Sequence, residues 1–219
     1  MPVDVVADVR GERLHLLPER AVWWDRAATL VVADLHWGKA ATFRAAGIAI
    51  PPGATADDLR RLDSALRRTA ARRLIVLGDL FHARAGRRSD ATLAELRRWR
   101  TGAADIEILL VRGNHDRRAG DPPAELGIAC VDPPVDAPPF ALHHEARPEP
   151  GRYTLAGHVH PGVTLRGAGR QRERLPCFVV GPTRMILPAF GSFTGTAELD
   201  DEAEDRRFVI ADDEVLAVG

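Results

Sequence analysis

The sequence predicts an α/β domain in which a parallel sheet from the first half of the chain joins a more antiparallel second half. Three observations carry this expectation. Short apolar runs alternate with helical periodicity up to about residue 120, the pattern of parallel strands joined by crossover helices. Beyond Asp121 prolines cluster (Pro122, Pro123, Pro133, Pro134, Pro138, Pro139) and the pattern turns to short strands and turns. No linker-like stretch interrupts the 219 residues, so residues 1–219 read as one domain.

The elements follow in order. Residues 3–9 and 13–17 read as two strands joined at Gly11. Residues 29–33 (TLVVA) form a short apolar run of the kind buried on both faces, and end at Asp34 and His36. Over 55–72, Leu59, Leu62, Leu66 and Ala70 recur at spacings of three and four, one face of an amphipathic helix, with Thr55 and Asp58 placed as a cap. Residues 74–77 (LIVL) are the next buried strand, a second helix covers 90–100, and 106–111 (IEILLV) is the third strand. Further strands are expected at 140–142, 153–156, 178–180, 185–187, 207–210 and 215–218.

Composition narrows the class. Hydrophobic residues make up 45%, charged residues 28%, and the formal net charge is −1, which excludes a wholly basic nucleic-acid binder and an acidic disordered chain. Two cysteines, Cys130 and Cys177, exclude a disulfide framework and a cysteine zinc ribbon. With no leader-like start and no 18-residue apolar run, the expected setting is cytoplasmic, with no membrane partner. Charge is uneven along the chain. Residues 84–118 carry nine arginines against five acids, whereas 198–214 carry nine acids against two arginines. The basic stretch could attract a polyanion.

Five apolar runs share one feature: each is followed at once by residues able to ligate a metal. These are Asp34 and His36, then Asp79, then Asn114 and His115, then His144, then His158 and His160. Ligands collect outside the carboxyl ends of strands in open α/β sheets. Carboxylate, amide and imidazole together suit manganese, iron or zinc. A lone Asp-x-His or His-x-His is usually a polar loop; five occurrences at one structural position point to a metal centre.

The order Asp34-x-His36, Gly78-Asp79, Gly113-Asn114-His115-Asp116, His144, Gly157-His158-x-His160 resembles the calcineurin-like metallophosphoesterases. Over nearly the whole chain, Asp34–Lys39, RGNHDRRAGD at 112–121, AGHVHP at 156–161 and PAFGSFTG at 188–195 are similar to the ligase-associated DNA-damage-response endonucleases. The resemblance implies a four-layer α/β/β/α sandwich of two mixed sheets around two divalent metal ions, manganese first, with iron or zinc as alternatives. It implies Asp34, His36 and His160 on one metal, Asn114, His144 and His158 on the other, and Asp79 bridging both. Aligning Ala146 with the family's proline selects His144 over His143. Strand alternation is expected to place His158 and His160 on a shared face, each reaching a different metal.

In the same reading His115 donates a proton to the leaving oxygen. Asp116 either holds the His115 imidazole or caps the following helical turn. Arg112, Arg117 and Arg118 flank the Asn114-His115 pair as phosphate contacts. Lys39, the only lysine, stands open between a phosphate contact and a solvated loop end. His82 is open between a substrate contact and a plain loop role, and Trp37 between core and base stacking. The implied activity is a phosphodiesterase acting on DNA, associated with a helicase and an ATP-dependent DNA ligase. The alternatives are an enzyme of small phosphoesters and a non-catalytic scaffold of the same fold.

Overall fold

The computed structural model describes residues 2–50, 53–167, 171–200 and 202–218. The hairpin expected at Gly11 forms between β1 (Val5–Val9) and β2 (Glu12–Leu17). A strand not foreseen, β3 (Ala21–Trp24), carries the antiparallel meander on to β4 (Thr29–Val32). A short helix, α1 (Lys39–Ala45), follows, and then the amphipathic helix α2 (Ala54–Thr69). Strand β5 (Arg73–Val76), helices α3 (Arg84–Arg87) and α4 (Asp90–Gly102), strand β6 (Glu107–Val111), helix α5 (Asn114–Ala119) and strand β7 (Ile128–Val131) complete the first half. The second half runs β8 (Val135–Ala137), β9 (Phe140–Leu142), β10 (Tyr153–Ala156), β11 (Gly162–Arg166), β12 (Arg172–Val180), β13 (Arg184–Ile186), β14 (Arg206–Ala211) and β15 (Glu214–Val218).

Both sheets are mixed. The first follows chain order from β1 to β7, antiparallel as far as β4 and parallel from β4 to β7. The second has the order β15-β14-β12-β13-β10-β9-β8, with β11 paired to β12, and only β9-β10 and β10-β13 are parallel. The core between the sheets draws on both, through Val31, Ile75 and Leu109 on one side and Phe140, Leu155 and Phe178 on the other. Helices α2 and α4 close the outer face of the first sheet with Leu59, Leu62, Leu66, Leu93 and Leu96. Burying each such leucine contributes ~1.5–3 kcal/mol.

The expected pair of mixed sheets with helices is formed, and the two sheets are covered differently. The outer face of the second sheet carries Cys177, Val179, Ile186 and Val209 and is covered by Ala146, Val159 and Leu199 from loops, with no helix among the described residues. Every α-helix among the described residues precedes β7. One expectation needs correction: the cap expected from Thr55 and Asp58 is absent. Gly53 occupies the N-cap position, and Asp58 instead accepts from Ser192 N–H at 3.0 Å and from Arg61 at 2.8 Å. No helix among the described residues is long and apolar enough to cross a membrane.

Candidate metal centre

Because β4, β5 and β6 are adjacent and parallel, their carboxyl ends lie side by side, and the parallel pair β9-β10 brings two more from the facing sheet. The loops that follow are laced together. Asp34 N–H donates to Gly78 O at 3.1 Å and His36 N–H to Asp79 O at 2.9 Å. Gly157 N–H donates to His144 O at 3.0 Å, and Phe190 N–H ties the 188–195 segment to Ala33 O at 2.8 Å. Close approach needs glycine at two of these turns. A Cβ on Gly78 would run into the His144 ring, and one on Gly157 into the Asp34 carboxylate.

Ten non-glycine residues among those described have positive φ, and five of them are Asp34, His36, Asp79, His158 and His160. Left-handed conformations cost L-residues ~1–2 kcal/mol each and persist where the surroundings over-determine them. This corrects the expected strand alternation. His158 (φ 76°) and His160 (φ 50°) lie beyond β10 in a left-handed turn, and that turn sends their rings to different neighbours.

Two clusters result. In the first, His36 Nε2 lies 3.4 Å from His160 Nε2, and His160 Nε2 lies 3.5 Å from Asp34 Oδ1. In the second, His144 Nε2 lies 2.9 Å from Asn114 Oδ1, 3.0 Å from His158 Nδ1 and 3.4 Å from Asp79 Oδ1. Asp79 stands between them. Its Oδ1 faces His144, while its Oδ2 lies 3.9 Å from His36 Nε2. His143 is not in either cluster; its Nε2 lies 3.0 Å from Glu149 Oε1.

The donor chemistry fits cations. His144 Nδ1–H donates to Leu77 O at 2.9 Å, so Nε2 carries a lone pair, and it faces an amide, a carboxylate and another imidazole. Asp34 Oδ2 accepts from His158 N–H at 2.8 Å, which leaves Oδ1 buried without a partner. Lone pairs aimed at one another across a buried space are costly unless a cation lies among them. Burial, with His160, His115 and Lys39 adding, pushes the His36 imidazole down to about 2, so it is neutral and able to ligate. Burial pushes the Asp79 carboxyl up to about 6, against the pull of His144 and with Asp34 adding to the rise.

His115 lies at the mouth of the first cluster. Its Nδ1–H donates to His82 O at 2.5 Å, which leaves Nε2 directed inward, 3.9 Å from Asp79 Oδ2. The His82 carbonyl thus does what Asp116 was expected to do. The buried Asp116 carboxylate accepts instead from the N–H groups of Asp79 (2.7 Å), Leu80 (3.0 Å) and Gly113 (2.9 Å), and welds the loops after β5 and β6 together. Asp116 thus caps α5 through the Gly113 N–H and takes up two N–H groups of the loop after β5 as well. The His82 ring stacks on His115 with centroids 5.0 Å apart and lies within ligating reach of His36 and His115.

The basic residues separate. Arg112 is held by Asp121 through two bonds of 2.7 and 2.8 Å and by Asp132 at 3.3 Å, at the edge of the cavity that Arg117 also lines. Arg117 pairs with Asp132 at 3.2 Å but is half exposed, and it lines a cavity of about 450 Å³ beside Asn114 and His144. Arg118 makes no ion pair among the described residues. Lys39 Nζ lies 5.9 Å from the Phe193 ring centroid. Trp37 is 2% exposed and packs on Phe81 and Trp99, so it belongs to the core.

Comparison with known proteins agrees with this arrangement. Residues 28–158 match the calcineurin-like phosphoesterase family. Among solved structures, a nuclease MPE from Pseudomonas putida is 42% identical and superposes with a TM-score of 0.85, covering 98% of this chain and 100% of its own. No curated protein matches the chain.

Proposed function

The chain belongs to the calcineurin-like phosphoesterase family, whose members use two divalent metal ions, and from that premise we propose that it cleaves the phosphodiester backbone of DNA with manganese. The observation that carries the reading is the convergence of metal-capable side chains on two neighbouring points, with Asp79 presenting one oxygen to each. The likeness to a protein named a nuclease supports the substrate class.

Asp34, His36 and His160 would hold one ion and Asn114, His144 and His158 the other, with Asp79 shared. When bound, such a pair supplies Lewis acidity toward a phosphoryl group and lowers the pKa of water near neutrality. Manganese is favoured because imidazole-rich sites suit it better than magnesium, which prefers oxygen ligands; iron and zinc accept the same donors. His115 stands outside both donor sets with Nδ1–H donating to the His82 carbonyl, so as the imidazolium it would hand a proton from Nε2 to the leaving oxygen. Asp116 acts through the backbone, as a positioning residue that fixes where Asp79 and His115 sit. Arg117, Arg118 and Lys39 draw in the flanking phosphates.

Residues 1–219 act as one domain around this centre. The two unbridged cysteines support a reducing, cytoplasmic setting, and association with a helicase and an ATP-dependent DNA ligase follows from the motif resemblance.

The test is a cleavage panel with manganese comparing single-stranded DNA, duplex DNA, a cyclic dinucleotide and an activated aryl phosphodiester. DNA strands should be cut and the aryl ester turned over. Hydrolysis of the cyclic dinucleotide with DNA left intact would replace this reading with an enzyme of small phosphodiesters. Inactivity on all four, with no bound metal, would point to a scaffold.

A further inference from the structure

The 188–195 segment (PAFGSFTG) is built to present one aromatic ring at the mouth of the site. Phe190 is fully buried, and its N–H donates to Ala33 O at 2.8 Å. Gly191 N–H donates to Asp34 O at 3.1 Å, and Ser192 N–H to Asp58 Oδ1 at 3.0 Å. Arg61 clamps the same turn from α2. It lies 4.5 Å over the Phe190 ring, donates to the Phe190 carbonyl and bonds Asp58. Three consecutive N–H groups are thus tied down immediately before Phe193, whose side chain has no such tether and is 38% exposed. It is the only aromatic among the exposed large hydrophobic residues of the described chain.

Its neighbours continue inward to the chemistry. Phe43 meets the Phe193 ring edge-on at 5.7 Å, and the Phe43 ring lies 6.0 Å from His82. His82 in turn stacks on His115. Lys39 Nζ sits beside the same aromatic face. A cation next to a rigidly presented ring, at the edge of a phosphodiester-cleaving centre, matches the two parts of a nucleotide: phosphate for the ammonium, base for the ring.

We propose that Phe193, supported by Phe43, stacks an unpaired nucleobase of the strand whose phosphate lies at the metal centre. The proposal rests on the nuclease reading above. It also carries a preference, because a base inside a duplex already has both faces covered, whereas an unpaired one offers a face.

The test uses the manganese-loaded protein, its Phe193→Ala and Phe193→Trp variants, and two short DNA strands of equal length, one normal and one carrying abasic sugars near the cut. Phe193→Ala should raise KM on the normal strand by roughly 5- to 100-fold, the equivalent of stacking one base. Phe193→Trp should restore it. On the abasic strand the wild type should already show the raised KM, and Phe193→Ala should add far less. A non-hydrolysable strand carrying 2-aminopurine gives a second readout, with fluorescence quenched on binding the wild type and Phe193→Trp but not Phe193→Ala. An equal rise on both strands would overturn the proposal and make the segment a backbone contact. Equal cleavage of normal and abasic strands by the wild type would also overturn it while leaving the nuclease reading intact. Turnover of the aryl ester with neither strand cut would remove the nuclease reading and the platform with it.

Discussion

The two halves of the centre hold their donors by different means. In the half around His144, one imidazole nitrogen is fixed by the Leu77 carbonyl at 2.9 Å, so the other is aimed before any ion arrives, and its neighbours lie at 2.9, 3.0 and 3.4 Å. In the half around His36, spacings are wider, at 3.4 and 3.5 Å, and both Asp34 Oδ1 and His36 Nδ1 are buried without partners. Orientation of a ligating imidazole by a backbone acceptor typically raises metal affinity. The His144 half is thus set for a cation in advance, whereas the His36 half leaves buried polar atoms that a cation would satisfy. The His144 half should therefore fill first and empty last.

The largest way to break this comparison is to delete the pre-oriented ring. His144→Ala should lower phosphodiester hydrolysis by at least roughly 10³-fold, the several kcal/mol expected of one lost metal site, with loss of one bound ion per chain by elemental analysis. His143→Ala should stay within about fivefold of wild type, since only its partnership with Glu149 is lost. The reverse pattern would mean that the clusters are drawn one residue out of register.

His115→Ala leaves both halves filled and removes the proton donor. DNA cleavage, which expels a poorly leaving alkoxide, should fall by about 10²–10⁴-fold, whereas an activated aryl ester should lose much less. Equal losses with metal retained would show that His115 stabilises charge on phosphorus and does not supply a proton.

The smallest and most discriminating pair acts through glycine. Gly78→Ala presses on the His144 ring, and Gly157→Ala on the Asp34 carboxylate. Each should weaken manganese binding by roughly 10–100-fold, in opposite halves. In a calorimetric titration Gly78→Ala should remove the tighter step and Gly157→Ala the weaker. The same step lost in both variants would show that the halves do not bind independently.

How far the sequence carries this picture depends on what kind of signal each feature leaves. The strand ends bearing Asp34, Asp79, Asn114, His144 and His158 are legible because a buried strand must be a continuous apolar run, and the polar residue ending it stands out. The leucine spacing of α2 is legible for the same reason. Helix α1 is not, because only Ala40 of its seven residues is buried and Gly38 begins it in a left-handed conformation. The role of Asp116 is hidden because its partners are backbone N–H groups, which no residue type advertises. The turn that separates His158 from His160 is hidden because two histidines spaced by one look identical in a strand and in a left-handed turn. Phe193 is one phenylalanine among seven until its exposure and its pinned backbone are seen together.

Metal stoichiometry decides whether one carboxylate joins two cation sites. Protein dialysed against manganese and freed of excess ion should retain two ions per chain, and Asp79→Asn should retain no more than one while keeping its fold. Two ions retained by Asp79→Asn, or fewer than two by the wild type, would contradict the account.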